Sequence, residues 1–534
     1  MSRILDSLTR RSIAIGLGCL LSIAPAALAE PLAPQPSYRE TTKAVASDGS
    51  ANSFFGISMD IDGDTAVIGA TGAGPGGRVY LFQRQPGGGP WLELTTLESS
   101  DIGTNDGFGI GVAISGDTVV VGAWEDDDGG GESGSAYVFE RDAGGPDAWG
   151  EVAKLTAGDA TPNARFGFSV SVSGDAAAVG AYRAGPAGAE TGAVYIYERD
   201  AGGPDAWAQT ARVTADDATP IDHFGMAVGL SGDTLAVGSR LDDDLGFNSG
   251  SAYVFERDRG GADNWDQTAK LLAMDGKALD RFGRVIAIDG DTVVVGAPAD
   301  GTGEGWAYVY ERDAGGADAW QQTAKLVGPD SAFDDWFAGA IDISGDVIVS
   351  GADDHDFLGM DSGAGYVYHR DAGGPGAWGK VAKIVGHDTA EGDQLGRAAA
   401  VSGGTVIIGA DLDDDLGEKS GSTYFFDEIV VDPQLVVVGD CPGEMTIIAA
   451  GMTPQRALGL YGSETEGPFT MGGGACLGTE LGLDGATPIG PRITDELGMT
   501  SLTATLGQAW CGIKLQVVDS VSCAVSNVTT IPAD

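Results

Sequence analysis

The sequence predicts an all-β protein: a seven-bladed β-propeller closed by its N-terminal strand, followed by a small disulfide-containing β-sandwich. Three observations carry this: a unit that recurs seven times, four strand-like runs inside each unit, and an offset of one strand between the two ends of the array. Each unit opens on a Phe-Gly step or its replacement, at Phe55-Gly56, Phe108-Gly109, Phe166-Gly167, Phe224-Gly225, Phe282-Gly283, Phe337-Ala338 and Leu395-Gly396. Successive starts lie 53, 58, 58, 58, 55 and 58 residues apart, a period that signals an array of stacked supersecondary units.

The second unit shows the four runs. In the first, Ile110, Val112 and Ile114 alternate with the small residues Gly111, Ala113 and Ser115. A Ser-Gly-Asp turn at 115–117 leads into the second run, 118–123, because glycine reaches positive φ without steric cost. The third is 135–139, and a turn at 142–145 joins it to the fourth, 150–155. Four short antiparallel strands cannot bury two apolar faces alone. Stacked radially they cover both and leave only short edges. Small side chains on the first strand suit a crowded axis, and the Tyr and Phe of the third suit the wider exterior.

The closure is read from spacing. Trp91, Trp149, Trp207, Trp265, Trp320 and Trp378 each stand 17 residues before a Phe-Gly site and mark the fourth strand. Tyr38 stands 17 residues before Phe55, and Lys43 follows it by five, as Lys154 follows Trp149. The seventh unit stops after its third strand, at 422–426. The segment 38–45 is therefore expected to supply the missing strand of the last blade and so remove an open edge.

Ahead of the array, residues 1–29 read as an export signal: Arg3, Arg10 and Arg11 precede an apolar run at 13–23, and Ala27-Leu28-Ala29 offers small residues for cleavage. That run is too short to span a bilayer, and no other stretch is long and apolar enough to anchor one. The Pro- and Ala-rich residues 30–37 read as a linker, the propeller as 38–427, and the last domain as 428–534. In that domain apolar runs at 435–438, 445–448, 457–461, 502–506 and 513–518, separated by Gly/Pro turns, suit a β-sandwich. Cys441, Cys476, Cys511 and Cys523 predict two disulfides with three possible pairings. Asn527-Val-Thr fits a glycosylation pattern.

With 78 acidic against 30 basic residues, the formal charge of −48 repels phosphate backbones and anionic lipid, which excludes nucleic acid as a partner. Strand direction places the connections between fourth and first strands, and between second and third, at one end of the wheel, the top. An Asp recurs seven residues before each unit start: Asp48, Asp101, Asp159, Asp217, Asp275, Asp330 and Asp388. The second-to-third loops add Asp126, Asp127 and Asp128 after Glu125; Asp242, Asp243 and Asp244; Asp353, Asp354 and Asp356 around His355; and Asp413, Asp414 and Asp415. In the fifth unit only Asp300 remains. The expectation is a wheel with its acidic loops on one rim.

Two readings of these aspartates stand. Calcium prefers six to eight oxygens, and carboxylates supply them. Neighbouring side chains of an extended run point opposite ways, so at most two of Asp126, Asp127 and Asp128 can face one ion, with Glu132, carbonyls or the nearby fourth-to-first Asp completing the shell. In the other reading the aspartates cap turns through backbone amides. The four histidines lie in no metalloprotease or nucleophile-elbow motif, so no catalytic residue is expected. Trp124, Tyr182, Trp336 and Phe357 near the top loops could stack on sugar rings or fill gaps between blades.

The Phe-Gly steps, each followed by a Val-Gly-Ala or near equivalent such as Val179-Gly180-Ala181 and Val295-Gly296-Ala297, resemble the FG-GAP repeats of integrin α-subunit propellers, over residues 38–427. The chain is most similar to bacterial secreted FG-GAP proteins. The resemblance implies ligand recognition on the top face. The family's D-x-D-x-D-G calcium sites, in the first-to-second connection, do not carry over, because that connection is here a two-residue hairpin. The function expected is a secreted, non-enzymatic binding or adhesion protein that engages a protein or glycan, with calcium in the second-to-third loops, and a monomer. Two alternatives remain: an extracellular polysaccharide lyase or hydrolase using top-face carboxylates, and a passive surface-layer scaffold.

Overall fold

The computed structural model describes residues 37–429, apart from 187–188, 260, 262–263, 299–304 and 333, together with the backbone of nine strands between 434 and 530. The export signal expected over 1–29, residues 30–36 of the linker, Asp300, the four cysteines from Cys441 onward and Asn527 lie outside the described residues. Among the described residues there is no helix, and so none long and apolar enough to cross a membrane.

Gln35–Val431 form one compact unit of seven four-stranded antiparallel sheets. Blade 2 is representative: Phe108–Ser115, Thr118–Ala123, Ser135–Gly145 and Ala148–Leu155, paired in that order. The second strand is buried along its whole length in every blade, because a neighbouring sheet covers each face. It therefore reads as a continuous Val/Ile/Ala run, where a half-exposed strand would alternate. The seventh sheet runs in the order Ser37–Ala44, Ser422–Ile429, Thr405–Ala410, Leu395–Ser402, with Lys43 opposite Tyr424.

The Phe of each Phe-Gly step packs edge-on against third-strand aromatics, as Phe166 does on Tyr195 and Tyr197 with ring centroids 5.5 and 6.1 Å apart. Its glycine permits close approach between blades. Gly167 has φ of +87°, and a Cβ on Gly122, the glycine of the preceding Val-Gly-Ala, would sit 1.8 Å from the Gly167 carbonyl oxygen. No side chain fits there.

First strands of successive blades touch one another all the way round, blade 7 meeting blade 1. At the bottom of this inner ring each first strand ends on a Ser or Asp whose side chain accepts the next blade's turn amide. Asp62 accepts from Gly116 N at 2.6 Å, Ser115 from Gly174 N at 3.2 Å, and so on to Ser402, which accepts from Gly63 N at 3.0 Å. The Ser-Gly-Asp motif is thus an inter-blade clasp as well as a turn.

A bulge recurs between third and fourth strands, at Val138/Phe139 in blade 2 and at the equivalent position in the other blades. It shifts the inner half of the fourth strand by one residue. Its consequence is a repeated cross-strand pair: Tyr137 opposite Lys154, Tyr195 opposite Arg212, Tyr253 opposite Lys270, Tyr308 opposite Lys325 and Tyr366 opposite Lys383.

Beyond residue 430 three further sheets form. One joins Gln434–Gly439, Gly443–Ala450 and Thr500–Leu506; another joins Thr487–Ile493, Ala457–Ser463, Lys514–Asp519 and Thr529–Thr530; Glu466–Thr470 and Glu480–Leu483 pair as a hairpin. The five runs read from the sequence are all strands here, and the hairpin, Thr487–Ile493 and Thr529–Thr530 are additions.

Candidate ligand-binding face

At the top, the acidic loops of blades 2, 4 and 7 close on a lysine. In blade 4, Lys270 Nζ lies 2.6 Å from Asp217, 3.1 Å from Asp242 and 2.5 Å from Asp244. Lys154 lies 2.7, 3.1 and 2.5 Å from Asp101, Asp126 and Asp128, and Lys43 lies 2.8, 3.0 and 2.6 Å from Asp388, Asp413 and Asp415. The first and third residues of each triplet converge with the recurrent Asp of the preceding loop. The middle ones, Asp127, Asp243 and Asp414, turn away and accept the amides of Glu132, Asn248 and Lys419.

Each recurrent Asp also accepts a tyrosine hydroxyl, in all seven blades, from Tyr80 to Asp48 at 2.6 Å through Tyr424 to Asp388 at 2.8 Å. The cation follows the same rule. Arg212 meets Asp159 at 3.1 Å and Lys325 meets Asp275 at 2.7 Å. In blade 1 the fourth strand offers Thr96 opposite Tyr80, and Arg78 of the third strand bonds Asp48 instead. These aspartates hold side chains between strands, and Asp217 and Asp275 also accept their own backbone amides.

Burial alone would disfavour the ammonium of Lys154, but its bonds to Asp101, Asp128, Tyr137 and Asp126 outweigh that and hold its pKa above the lysine range; Lys270 and Lys43 behave alike. Against burial, which would raise them, the same contacts hold Asp101, Asp217 and Asp388 below the carboxylate range. The oxygens of Asp217, Asp242 and Asp244 lie within 4.8 Å of one another, as metal ligands would. With the lysine in place the set does not fit calcium, however, because Nζ fills the common point of the three carboxylates, 2.5 to 3.1 Å from each.

Blade 6 differs. His355, not an aspartate, takes the place of Asp126, and its Nε2 lies 3.2 Å from Lys383 Nζ, while Phe357 takes the place of Asp128 with its ring 3.9 Å from that Nζ. Burial, no longer offset by three carboxylates, pushes the Lys383 pKa down. Of the aspartates read here as a triplet, Asp356 accepts the Asp361 amide, Asp354 accepts from Gln394 Nε2, and Asp353 faces the centre of the wheel, where Arg397 lies 3.4 Å away. The triplet is therefore not one site.

Acidity is also not confined to the top, which corrects the one-rim expectation. Asp117, Asp175, Asp291 and Asp346 in the bottom turns are at least 75% exposed and pair with Arg141, Arg199, Arg312 and Arg370.

The centre of the top face is different in kind. The residue before each Phe-Gly site has φ between 54° and 68° in all seven blades: Phe54, Gly107, Arg165, His223, Arg281, Trp336 and Gln394. The same positive-φ backbone thus recurs in every blade, carrying Phe, His, Trp, Gln and two Arg, and in blade 2 a glycine. Around it runs an aromatic chain, Trp124 to Phe168 to Tyr182 to His223, with centroids 5.4, 4.9 and 5.0 Å apart. Next to it lie Arg240, Arg281 and Arg284, none with a carboxylate within 4.0 Å among the described residues, and Arg284 5.0 Å over the Trp336 ring. Burial, then the charges of Arg240 and Arg397, push the Arg284 pKa down to about 10. Burial, then Arg281, lowers that of Arg240. Asp411, buried, rises to about 6.

Sequence reading missed the lysines as partners of the acidic loops and missed this arginine hub. Aligning the repeats on the position before Phe-Gly would have exposed Arg281, though not Arg240 or Arg284, which stand at other places in the repeat. In comparisons with known proteins, a model of the FG-GAP repeat matches residues 38–82, 91–139, 149–197, 207–255, 265–310, 320–368 and 378–426. No curated protein matches the chain.

Proposed function

We propose, because this chain belongs to the FG-GAP repeat family, that it is an extracellular, non-enzymatic binding or adhesion protein whose propeller engages a partner protein through its top face. One observation carries the reading: Leu245, Phe247, Met274, Phe357, Met360 and Leu416, large apolar side chains left exposed, all stand on top loops, while the bottom turns expose none among the described residues. Apolar side chains gathered at one end of an otherwise charged surface mark an interaction face. The frame beneath repeats blade by blade, and the loops above it vary, as in scaffolds that carry recognition on loops.

The Arg-rich start and apolar run at the N-terminus support export. A calcium requirement forms no part of this reading, because lysines neutralise the acidic triplets from within.

Binding of the full chain to arrays of extracellular matrix proteins and glycans tests it. Phe247→Ser with Phe357→Ser should abolish capture, and Leu92→Ser with Leu94→Ser, on the outer edge of blade 1, should leave it intact. If all variants bind like the parent, the top face is not the site. Release of sugar products from a polysaccharide, lost in one top-loop Asp→Asn variant, would favour the lyase or hydrolase reading.

A further inference from the structure

We infer that the arginine hub at the top centre is a receptor for a carboxylate, carried by an acidic side chain of a partner protein; this deepens, and rests on, the top-face binding reading. Arg281 shows how the hub was left open. At the equivalent place in the ring, 116 residues earlier, Arg165 pairs with Glu125 and Glu132. The residues that stand 116 positions after those glutamates are Leu241 and Asn248. Arg281 is thus retained at a strained φ of +56° with both anionic partners removed.

Its neighbours are in the same state. The Nε atoms of Arg240 and Arg281 and Nδ1 of His223 are buried with no hydrogen-bond partner; Nε of the paired Arg165 is so too, and what sets the hub apart is that no carboxylate lies within 4.0 Å of Arg240, Arg281 or Arg284 among the described residues. Buried polar groups are ordinarily satisfied, and unpaired buried charge is costly. Scarcity of acid does not explain it, since the chain carries 78 acidic residues. Repulsion among the guanidinium groups, offset in part by Asp353, would be relieved further by an anion placed between them.

Two buried acceptors face the same region without partners, Asp353 Oδ1 and Asp411 Oδ1. They suit the backbone N–H groups that flank an acidic residue in a peptide. A net charge of −48 disfavours a polyanion over the whole face, but a single carboxylate seated among arginines interacts inside the screening length. The exposed apolar loops outside the hub match a protein partner better than a sugar.

Calorimetric titration of the full chain with acetyl-Gly-Glu-Gly-amide at constant ionic strength tests this, with the Gln tripeptide, galacturonate and chloride as comparators. The Glu peptide should bind at least about tenfold more tightly than the Gln peptide, and Arg281→Gln or Arg284→Gln, each checked for an unchanged thermal transition, should weaken it by about tenfold or more. Equal response to chloride would reduce the hub to an adventitious anion site. Binding of galacturonate without the Glu peptide would overturn the protein source. Loss of partner capture in Phe247→Ser with Phe357→Ser but not in Arg281→Gln would overturn the hub and leave the proposed face standing.

Discussion

The rim and the hub of the top face use charge in opposite ways. On the rim, every recurrent Asp is matched to a Tyr hydroxyl and to a Lys or Arg, and three loops add two more carboxylates to the same ammonium. At the hub, Arg240, Arg281 and Arg284 have no carboxylate within 4.0 Å among the described residues, in a chain with carboxylates to spare. A count of charges would place function on the rim, where acid is dense. The accounting of partners is the ground for proposing the hub instead, because a satisfied group has little left to offer a ligand.

The sharpest way to break this contrast is to remove the rim's cation. In Lys270→Met the nearly buried Asp242 loses its counter-charge beside Asp217 and Asp244, and stability should fall by about 2–4 kcal/mol in urea unfolding. Lys43→Met should cost at least as much, since Lys43 belongs to the N-terminal strand and also ties that strand to blade 7. Millimolar calcium or a chelator should leave the parent's Tm unmoved and raise that of Lys270→Met, where three carboxylates now face an empty point. A calcium response in the parent equal to the variant's would mean that the lysine is displaced and the rim is a metal site.

pH separates the regions next. The rim's lowered carboxylates and raised lysines make its contribution level from about pH 5 to about pH 10. Inside the ring beneath the hub, burial pushes Asp60 and Asp342 well above the carboxylate range toward neutrality, and for Asp342 the charge of Asp60 adds to it. A raised folded pKa means stability that is complete below the unfolded value and lost as pH rises through the folded one. The parent should therefore lose about 1–3 kcal/mol between about pH 4.5 and about pH 8.5. Each carboxylate accepts an amide of the next blade, from Ile114 and Val401, both at 2.7 Å, and an Asn oxygen keeps that bond. Asp60→Asn with Asp342→Asn should abolish the loss; a variant with the parent's pH profile would place its origin elsewhere.

Legibility followed the same division. The period, the blade count and the recurrent Asp were readable because each repeats at fixed spacing. Lys154 was readable as a mark of the fourth strand, but its place opposite Tyr137 depends on the bulge at Val138/Phe139, which an alternating pattern does not locate. Its charge was therefore not set against the acidic loops. Arg281 and Arg284 each recur in a single other blade, as Arg165 and Arg397, and Arg240 in none, so no period marks them; only the closing of the ring brings positions from blades 4 and 5 up to Asp353 of blade 6 and Arg397 of blade 7. Asp353 itself misled because a run of like residues in the sequence is split by the fold between rim and hub.

Blade 6 offers the finest test, since it is the rim site that lacks its own rule. His355 stands where blades 2, 4 and 7 carry a buried Asp, and among the described residues Lys383 consequently keeps only Asp330, at 2.7 Å, as a close carboxylate. Its lowered pKa reports an ammonium under-compensated for its burial. His355→Asp supplies the missing partner at a position where the backbone already bonds as its counterparts do: Gly363 N donates to the His355 carbonyl at 2.8 Å, as Gly250 N does to Asp242. The exchange should raise stability by about 1 kcal/mol, a modest gain because it adds a charge to an acidic face as well as a bond. The gain should vanish in the Lys383→Met background, so that a double-mutant cycle isolates the pair. Stabilisation that persists without Lys383 would mean that removing the imidazole, and not completing the lock, produced it.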